Sequence, residues 1–426
     1  MPASSPSPLV PDAPPRLRSP DRQQVLPAMS VDGLLDTDHQ ARVVWEFCLG
    51  LDLSALSNRI RSREGGPGRA ALDPRLGVAL WLYATLEGVG SARARGILCM
   101  HHNAFRWLCG GVSVNYHTLA DFRTDHPEFL DRLLTHSVAV LREQDLVDLN
   151  RVALDGVRVR ASAGAASFRR KPALEECLAE ARAQVARLKA ETDEDPSAPS
   201  RRHAAARGRA ARERVARLQQ ALKRLPELEA KKARAERDKA RCSTTDPEAT
   251  VMKMADGGFR PAYNVELGAE CGSQVIVAVE VTTNGTDSGQ LTPLVDQTRA
   301  RYGRYPREVL ADGGFVNLSD IAAAEDVSRG CTVYAPVPEP KDPTRDRYQP
   351  LATDPPAIRR WRTRMGTEAA QDVYRHRAAT IECVNAQARN RTLVRLLVRG
   401  VEKVKSVVMW LAVAHNVACG ARLRAA

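Results

Sequence analysis

The sequence contains no Cys-x-x-Cys pair. Its nine cysteines stand singly at 48, 99, 109, 177, 242, 271, 331, 383 and 419. An odd number without metal-ligand spacing argues against a zinc ribbon and against a disulfide framework, and the thiols are expected to be reduced. Neither a Walker loop nor a Gly-x-Gly-x-x-Gly run is present, so neither ATP nor a nicotinamide cofactor is implied. No run of about 18 apolar residues occurs. The nearest, VKSVVMWLAVAHNVACGA, carries Lys405, His415 and Asn416 and reads as a buried helix, so no membrane span is expected. The opening MPASSPSPLVPDAPPRLRSP lacks an apolar segment, and no secretory signal is expected.

What the sequence has in excess is positive charge. Its 63 Lys and Arg against 51 Asp and Glu give a net charge of +12. Such a balance favours a polyanionic partner, because each neutralised phosphate releases counterions; solubility alone is the plainer explanation. A chain of 426 residues is long enough for two or three domains.

The hydrophobic pattern divides the chain. Residues 1–29 are rich in Pro, Ser and Asp and are expected to be disordered. Residues 30–147 read as all-helical. Asp38 is a candidate N-cap before ARVVWEF, and Leu76, Leu80, Tyr83 and Leu86 mark one face of a helix. Two further helices are expected around SARARGILCMHHNAFRWL and TLADFRTDHPEFLDRLLTHSVAVLREQ. Short helices with surface Arg suit a helix-turn-helix-like DNA-binding module as well as they suit a plain bundle. At residue 150 alternation begins, and LNRVALDGVRVRAS reads as a strand. Residues 171–241 then form a charged insert. Leu174, Leu178, Ala181, Val185 and Leu188 are at helical spacing, TDEDPSAPS breaks the pattern, and Val215, Leu218, Leu222, Leu225 and Leu228 resume it, as in a helical hairpin. Its second arm, 201–241, holds 15 Lys and Arg against 5 Asp and Glu, a one-signed excess suited to DNA phosphates.

From about 258 the strands return. FRPAYNVELGAE and SQVIVAVEVTTN pair through a turn containing Gly272; a helix (DSGQLTPLVDQTRARYG), a strand (REVLAD), a helix (NLSDIAAAEDV) and a strand (CTVYAPV) follow. After a Pro-rich loop the chain reads as helical from Ala357 to its end. Three antiparallel strands followed by alternating helices and strands give an α+β fold: a mixed sheet flanked by helices. That order is the one of a ribonuclease-H-like domain, here 148–426, with a helical-hairpin insertion after its first strand and an all-α region before it.

Three acids occupy telling places on this layout. Metal-assisted phosphoryl transfer needs hard oxygen ligands, and carboxylates on neighbouring elements supply them. Asp155 lies inside the first strand, where an acid is costly without a partner; an Asp-Gly turn between two short strands is the alternative. Asp312 ends REVLAD and precedes Gly313 and Gly314, at a strand terminus where ligands bind in open sheets; a loop-forming Asp-Gly is the plainer reading. Glu382 lies on the helix DVYRHRAATIECVNAQARNR, with Arg375 and Arg389 each seven residues away. Asp287 reads as the N-cap of the next helix, with a metal or DNA contact as the rarer alternative. Asp246 and Asp256 read as loop acids, Glu368 and Asp372 as helix-start residues, and His101 and His102 as surface residues.

The run YRHRAATIECVNAQAR, together with VALDGVRVRASAG, TDPEATVMK, ADGGF, LVRGVEKVKSVVMWLAVAHN and the stretch DPRLGVALWLYATLEGVGSAR through SVNYHTLADFR, resembles DDE transposases of bacterial insertion sequences, in the branch with a Tyr-x2-Arg-x3-Glu-x6-Lys signature. The resemblance covers about residues 30–420. It implies Asp155, Asp312 and Glu382 as catalytic and metal-binding acids for Mg2+ or Mn2+. It also implies Tyr374, Arg377 and Arg389 as DNA contacts near the cut. Two departures stand out: Arg389 replaces the usual Lys, and four residues rather than three separate Arg377 from Glu382. On a regular helix that spacing sets Arg377 about 140° around from Glu382, away from a metal. The implied function is binding of transposon terminal inverted repeats in double-stranded DNA, with cleavage and strand transfer into target DNA. A homodimer or larger synaptic complex in the bacterial cytoplasm, at the nucleoid and away from membranes, would carry it out. A catalytically inactive or repurposed DNA-binding protein is the alternative, and a stand-alone ribonuclease-H-like nuclease is a third reading.

Overall fold

A computed structural model describes residues 30–60, 70–194 and 198–426. The tail expected at 1–29 and the centre of the break expected at 192–200 lie outside these residues.

The main sheet is built around β1 (Arg151–Arg160), which runs straight through Asp155 and Gly156 without a turn. β1 pairs antiparallel with β5 (Phe259–Glu270) over Val152–Arg160, and parallel with β7 (Glu308–Leu310) over Arg151–Ala153. β8 (Thr332–Tyr334) adds parallel to β7. The far edge of β5 is shared by β6 (Ile276–Thr282) and the short β4 (Thr250–Lys253), both antiparallel. The order β6-β5-β1-β7-β8, with three antiparallel strands and then two parallel ones, makes a mixed sheet compatible with a ribonuclease-H-like fold.

Between β1 and β4 the chain forms two long helices, Lys171–Glu194 and Ala198–Ala230. β2 (Phe168–Arg169) and β3 (Cys242–Ser243) pair at their base. Leu174, Leu178 and Ala181 of the first helix close on Leu218, Ala221 and Leu225 of the second, in a small core separate from the main one. Arg224 and Gln220 tie this hairpin to Pro247 and Glu248, and Glu248 accepts from the amide of Val401.

Among the described residues, 40–143 carry only helices and their connections. The helix Pro74–Leu86 starts on Asp73, whose side chain accepts from the Arg75 amide, with Pro74 in its first turn. Every residue from Leu76 to Thr85 is buried, so burial extends beyond the face marked by Leu76, Leu80 and Tyr83. The helix is enclosed, packing on Gln40–Leu49, on Asn103–Cys109 and on the C-terminal helix Val401–Ala425. His39, not Asp38, caps Gln40–Leu49, its Nδ1 accepting from Ala41. The two expected helices that follow are each broken in two, giving Ala92–His101 and Asn103–Cys109, then Tyr116–Phe122 and Pro127–Glu143. His102 is extended at the first break, and Pro127 opens the last helix.

The C-terminal region is not helical throughout. Residues 392–400 interrupt it, and Arg395 there bridges to Arg160 at the end of β1. The helix Val401–Ala425 is long and apolar enough to cross a membrane by length and composition, but 78% of its apolar window is buried in the fold. One continuous apolar core joins it to the N-terminal helices and the sheet. At this junction Trp410 stacks near Trp81 and Phe122, and donates to the Arg123 carbonyl.

Candidate active site

Strand register brings Asp155 and Asp312 together. Ala153 of β1 stands beside Leu310 of β7. Both acids lie two residues further on, and side chains two apart in a strand share a face. β7 ends at Leu310 while β1 continues, so the strands part at the level of the two acids and leave a cleft. Asp312 caps the turn beyond β7, its Oδ1 accepting from the Gly314 amide at 2.8 Å.

Glu382 reaches this cleft from the helical segment behind it. Between Arg377 and Glu382 the helix makes a π turn over Ala378–Glu382. A π turn spaces residues i and i+5 as an α turn spaces i and i+4, and such bulges are frequent at functional sites. The extra residue is absorbed there, and the separation expected on a regular helix does not occur. Arg377 and Glu382 face the same way, with Nη1 3.5 Å from Glu382 Oε1. Nη2 of the same guanidinium lies 3.0 Å from Asp155 Oδ1 and 3.7 Å from Asp312 Oδ2. Arg377 is buried, whereas the Glu382 side chain is 62% exposed. The three acids, from β1, the loop after β7 and the π turn, therefore surround one positive charge.

Two neighbours complete this group. Asn385, three residues beyond Glu382, donates from Nδ2 to Asp155 Oδ2 at 2.7 Å, while its own Oδ1 is buried without a partner. Tyr374 is half-buried one turn before Arg377. Burial pushes its hydroxyl up, opposed by Arg377 and reinforced by the acids. Burial also raises Asp155, Arg377 opposes the shift, and Asp312 adds to it. Arg375 is exposed and paired with Asp372, and Arg389 is exposed on the last turn of Cys383–Arg391.

A second acidic group lies on the other face of β1. Glu266 of β5 stands directly opposite Gly156, so its side chain shares the face of Gly156 rather than that of Asp155. It is fully buried. Asn264 Nδ2 donates to Glu266 Oε1 and to Asp287 Oδ1, both at 2.6 Å. Asp287 is thus not a helix cap. The amides of Leu291 and Thr292 are capped by Asp320, which reaches over from the helix Leu318–Ala324. Glycine is required on both flanks: a Cβ at Gly156 would fall 2.3 Å from Asp287 Oδ1, and one at Gly314 2.7 Å from Asp287 Oδ2. No donor faces Glu266 Oε2. Burial first, and Asp287 second, push this carboxyl up to about 9; in its protonated form that oxygen can donate to Asp287.

Sequence reasoning passed over Asn264, Glu266 and Asn385. The signal for the first two is a polar pair at i and i+2 inside an otherwise apolar strand. Asn385 has only its place one turn after Glu382.

As the side chains stand, no group of three or more His, Cys, Asp or Glu among the described residues is close enough to hold one metal ion, and Arg377 bridges the acids instead. The donor set nevertheless suits a hard divalent cation. It consists of carboxylate oxygens gathered around a single positive charge.

No curated protein and no solved structure matches the chain. Residues 329–419 match the family described as the transposase DDE domain; this stretch includes Tyr374, Arg377, Glu382, Asn385 and Arg389, and ends short of Asp155 and Asp312 on the N-terminal side. Over these residues the chain is similar to the transposase DDE domain, which supports a DDE transposase.

Proposed function

We propose that the protein binds transposon terminal inverted repeats and cuts and rejoins DNA at the cleft beside β1, with Asp155, Asp312 and Glu382 as the catalytic acids. The observation that carries this reading is the convergence of these three side chains, from three separate elements, on the Arg377 guanidinium. Divalent cations, Mg2+ or Mn2+, would be held by the three acids and would stabilise the attacking and leaving oxygens of an in-line phosphoryl transfer. Asn385 fixes the orientation of Asp155. Arg377 balances the acids in the DNA-free chain and can turn to phosphate, which its planar fork suits. Tyr374 and the exposed Arg389 flank the cleft as DNA contacts.

Residues 30–147 are the proposed end-binding region, and 148–426 the catalytic one. The basic arm 201–241 of the insert 171–241 offers a further surface for phosphates. Bringing two ends together calls for a dimer or larger synaptic assembly, working on the bacterial chromosome in the cytoplasm.

The test is cleavage of a labelled terminal-repeat duplex in Mg2+. Asp155→Ala should abolish strand cleavage and leave end binding nearly intact. Full cleavage by that variant would sink the assignment. Salt-sensitive binding without metal-dependent cutting by the wild type would instead favour a repurposed DNA-binding protein.

A further inference from the structure

A small cavity lies where the N-terminal helices meet residues 392–400 and the C-terminal helix. Trp81, Arg95, Arg123, Thr392 and Arg395 line it together with apolar side chains, and no acid does. Three of these residues each carry a buried polar atom without a partner among the described residues: Nη1 of Arg95, Nε of Arg123 and Oγ1 of Thr392.

Arg95, on the helix Ala92–His101, is the most demanding of the three, because its side chain is almost entirely enclosed at 1% exposure. Its Nε and Nη2 both donate to the Val89 carbonyl, and Arg123 Nη1 donates to the carbonyl of Gly90. The two guanidiniums lie 3.1 and 5.2 Å from the centroid of the Trp81 ring. Among the described residues no carboxylate pairs with either one. Arginine does not lose its proton in a protein, so the charge persists, and a buried charge ordinarily has a counter-ion.

The atoms left over define what would satisfy them. Two N–H groups and a hydroxyl can all donate to one acceptor. A water molecule could accept from both guanidiniums, but it would leave their charge unbalanced. Size narrows the choice further. The cavity measures about 20 Å³, and one water needs about 10–15 Å³ on that measure. There is space for one atom-sized body and none for a phosphate or a carboxylate group.

We propose that this cavity binds one monatomic anion of chloride size, held by Arg95, Arg123 and the Thr392 hydroxyl. The ion neutralises the buried guanidiniums. It also joins the helices that position them to Thr392, the residue that follows Cys383–Arg391, the helix that carries Asn385. The site stands independently of the function proposed above.

The experiment is thermal unfolding of the full chain at constant ionic strength, with sodium gluconate replaced stepwise by sodium chloride. Gluconate is too large to enter. The wild-type midpoint should rise with chloride as binding of one ion to the folded state alone requires, and bromide should substitute for chloride. Thr392→Val keeps the shape of the side chain and removes one donor, so it should need at least about tenfold more chloride for the same rise. Arg95→Met should abolish the dependence; if that variant does not fold, Thr392→Val carries the comparison. A wild-type midpoint that does not move when chloride replaces gluconate would mean that the cavity holds water, and would overturn the proposal. An equal rise in wild type and Thr392→Val would place the chloride effect elsewhere on the basic surface, and would overturn it as well.

Discussion

Replacing Glu266 by Gln takes a proton-binding group out of the interior while keeping its shape and its acceptor for Asn264. The consequence is a change in how stability depends on pH. The Glu266 carboxyl is pushed from an ordinary value of 4.5 up to about 9. Between those limits the unfolded chain releases this proton and the folded chain keeps it. The folded state then binds more protons than the unfolded state, so stability falls as pH rises. Each pH unit inside the window is worth about 1.4 kcal/mol. From about pH 5.5 to about pH 7.5, wild type should therefore lose about 2.7 kcal/mol relative to Glu266→Gln, a large share of the roughly 5–15 kcal/mol by which a folded protein is stable. The assay is urea unfolding of both proteins at several pH values with divalent cations chelated. Taking the difference between the two cancels the titrating groups that do not touch Glu266. Parallel stability profiles would refute the reasoning, because they would mean that Glu266 is ionised in the folded chain as it is in the unfolded one.

His415 should act with the opposite sign. Burial lowers it to about 4 from 6.5, so below about pH 6.5 the unfolded chain takes up a proton that the folded chain refuses. Stability should drop between about pH 6.5 and about pH 4, and His415→Gln should flatten that limb in thermal melts. Trp410→Ala should cost about 3–5 kcal/mol and lower one cooperative transition as a whole. A separate early transition of the N-terminal helices in urea would show that the junction with Trp81 and Phe122 does not couple the two regions.

The parts of the fold that could be read from the sequence are those where a period of two or of 3.6 is imposed by one buried face. β1 shows this over Gly156–Arg160, where buried and less buried residues alternate, and so do the arms of the hairpin, whose Leu174, Leu178, Leu218 and Leu225 form a small core of their own. Where an element is buried all round, as Pro74–Leu86 is, the periodicity vanishes and only the caps remain informative. The same holds for β5, whose interior is buried on both faces, so that Asn264 and Glu266 did not register as a site. Asp155 and Asp312 were legible because strand register alone aligns them. The relation of Arg377 to Glu382 was not, since it depends on a hydrogen-bonding choice between α and π that residue spacing does not reveal. Asp287 was misassigned for a different reason: the cap it was expected to supply comes from Asp320, on a helix some thirty residues downstream, and no local pattern reports a cap delivered from elsewhere.

The π turn at Ala378–Glu382 has a bearing on how length changes are tolerated in this helix. Four residues of regular α-helix turn about 400°, which also returns to nearly the same face. A chain one residue shorter between Arg377 and Glu382 could therefore keep the guanidinium beside the carboxylate simply by closing the bulge to an ordinary α turn. Both spacings encode one arrangement, and a single-residue deletion in Ala378–Ile381, ordinarily ruinous inside a helix that carries a reactive group, should here leave the charged cluster in register.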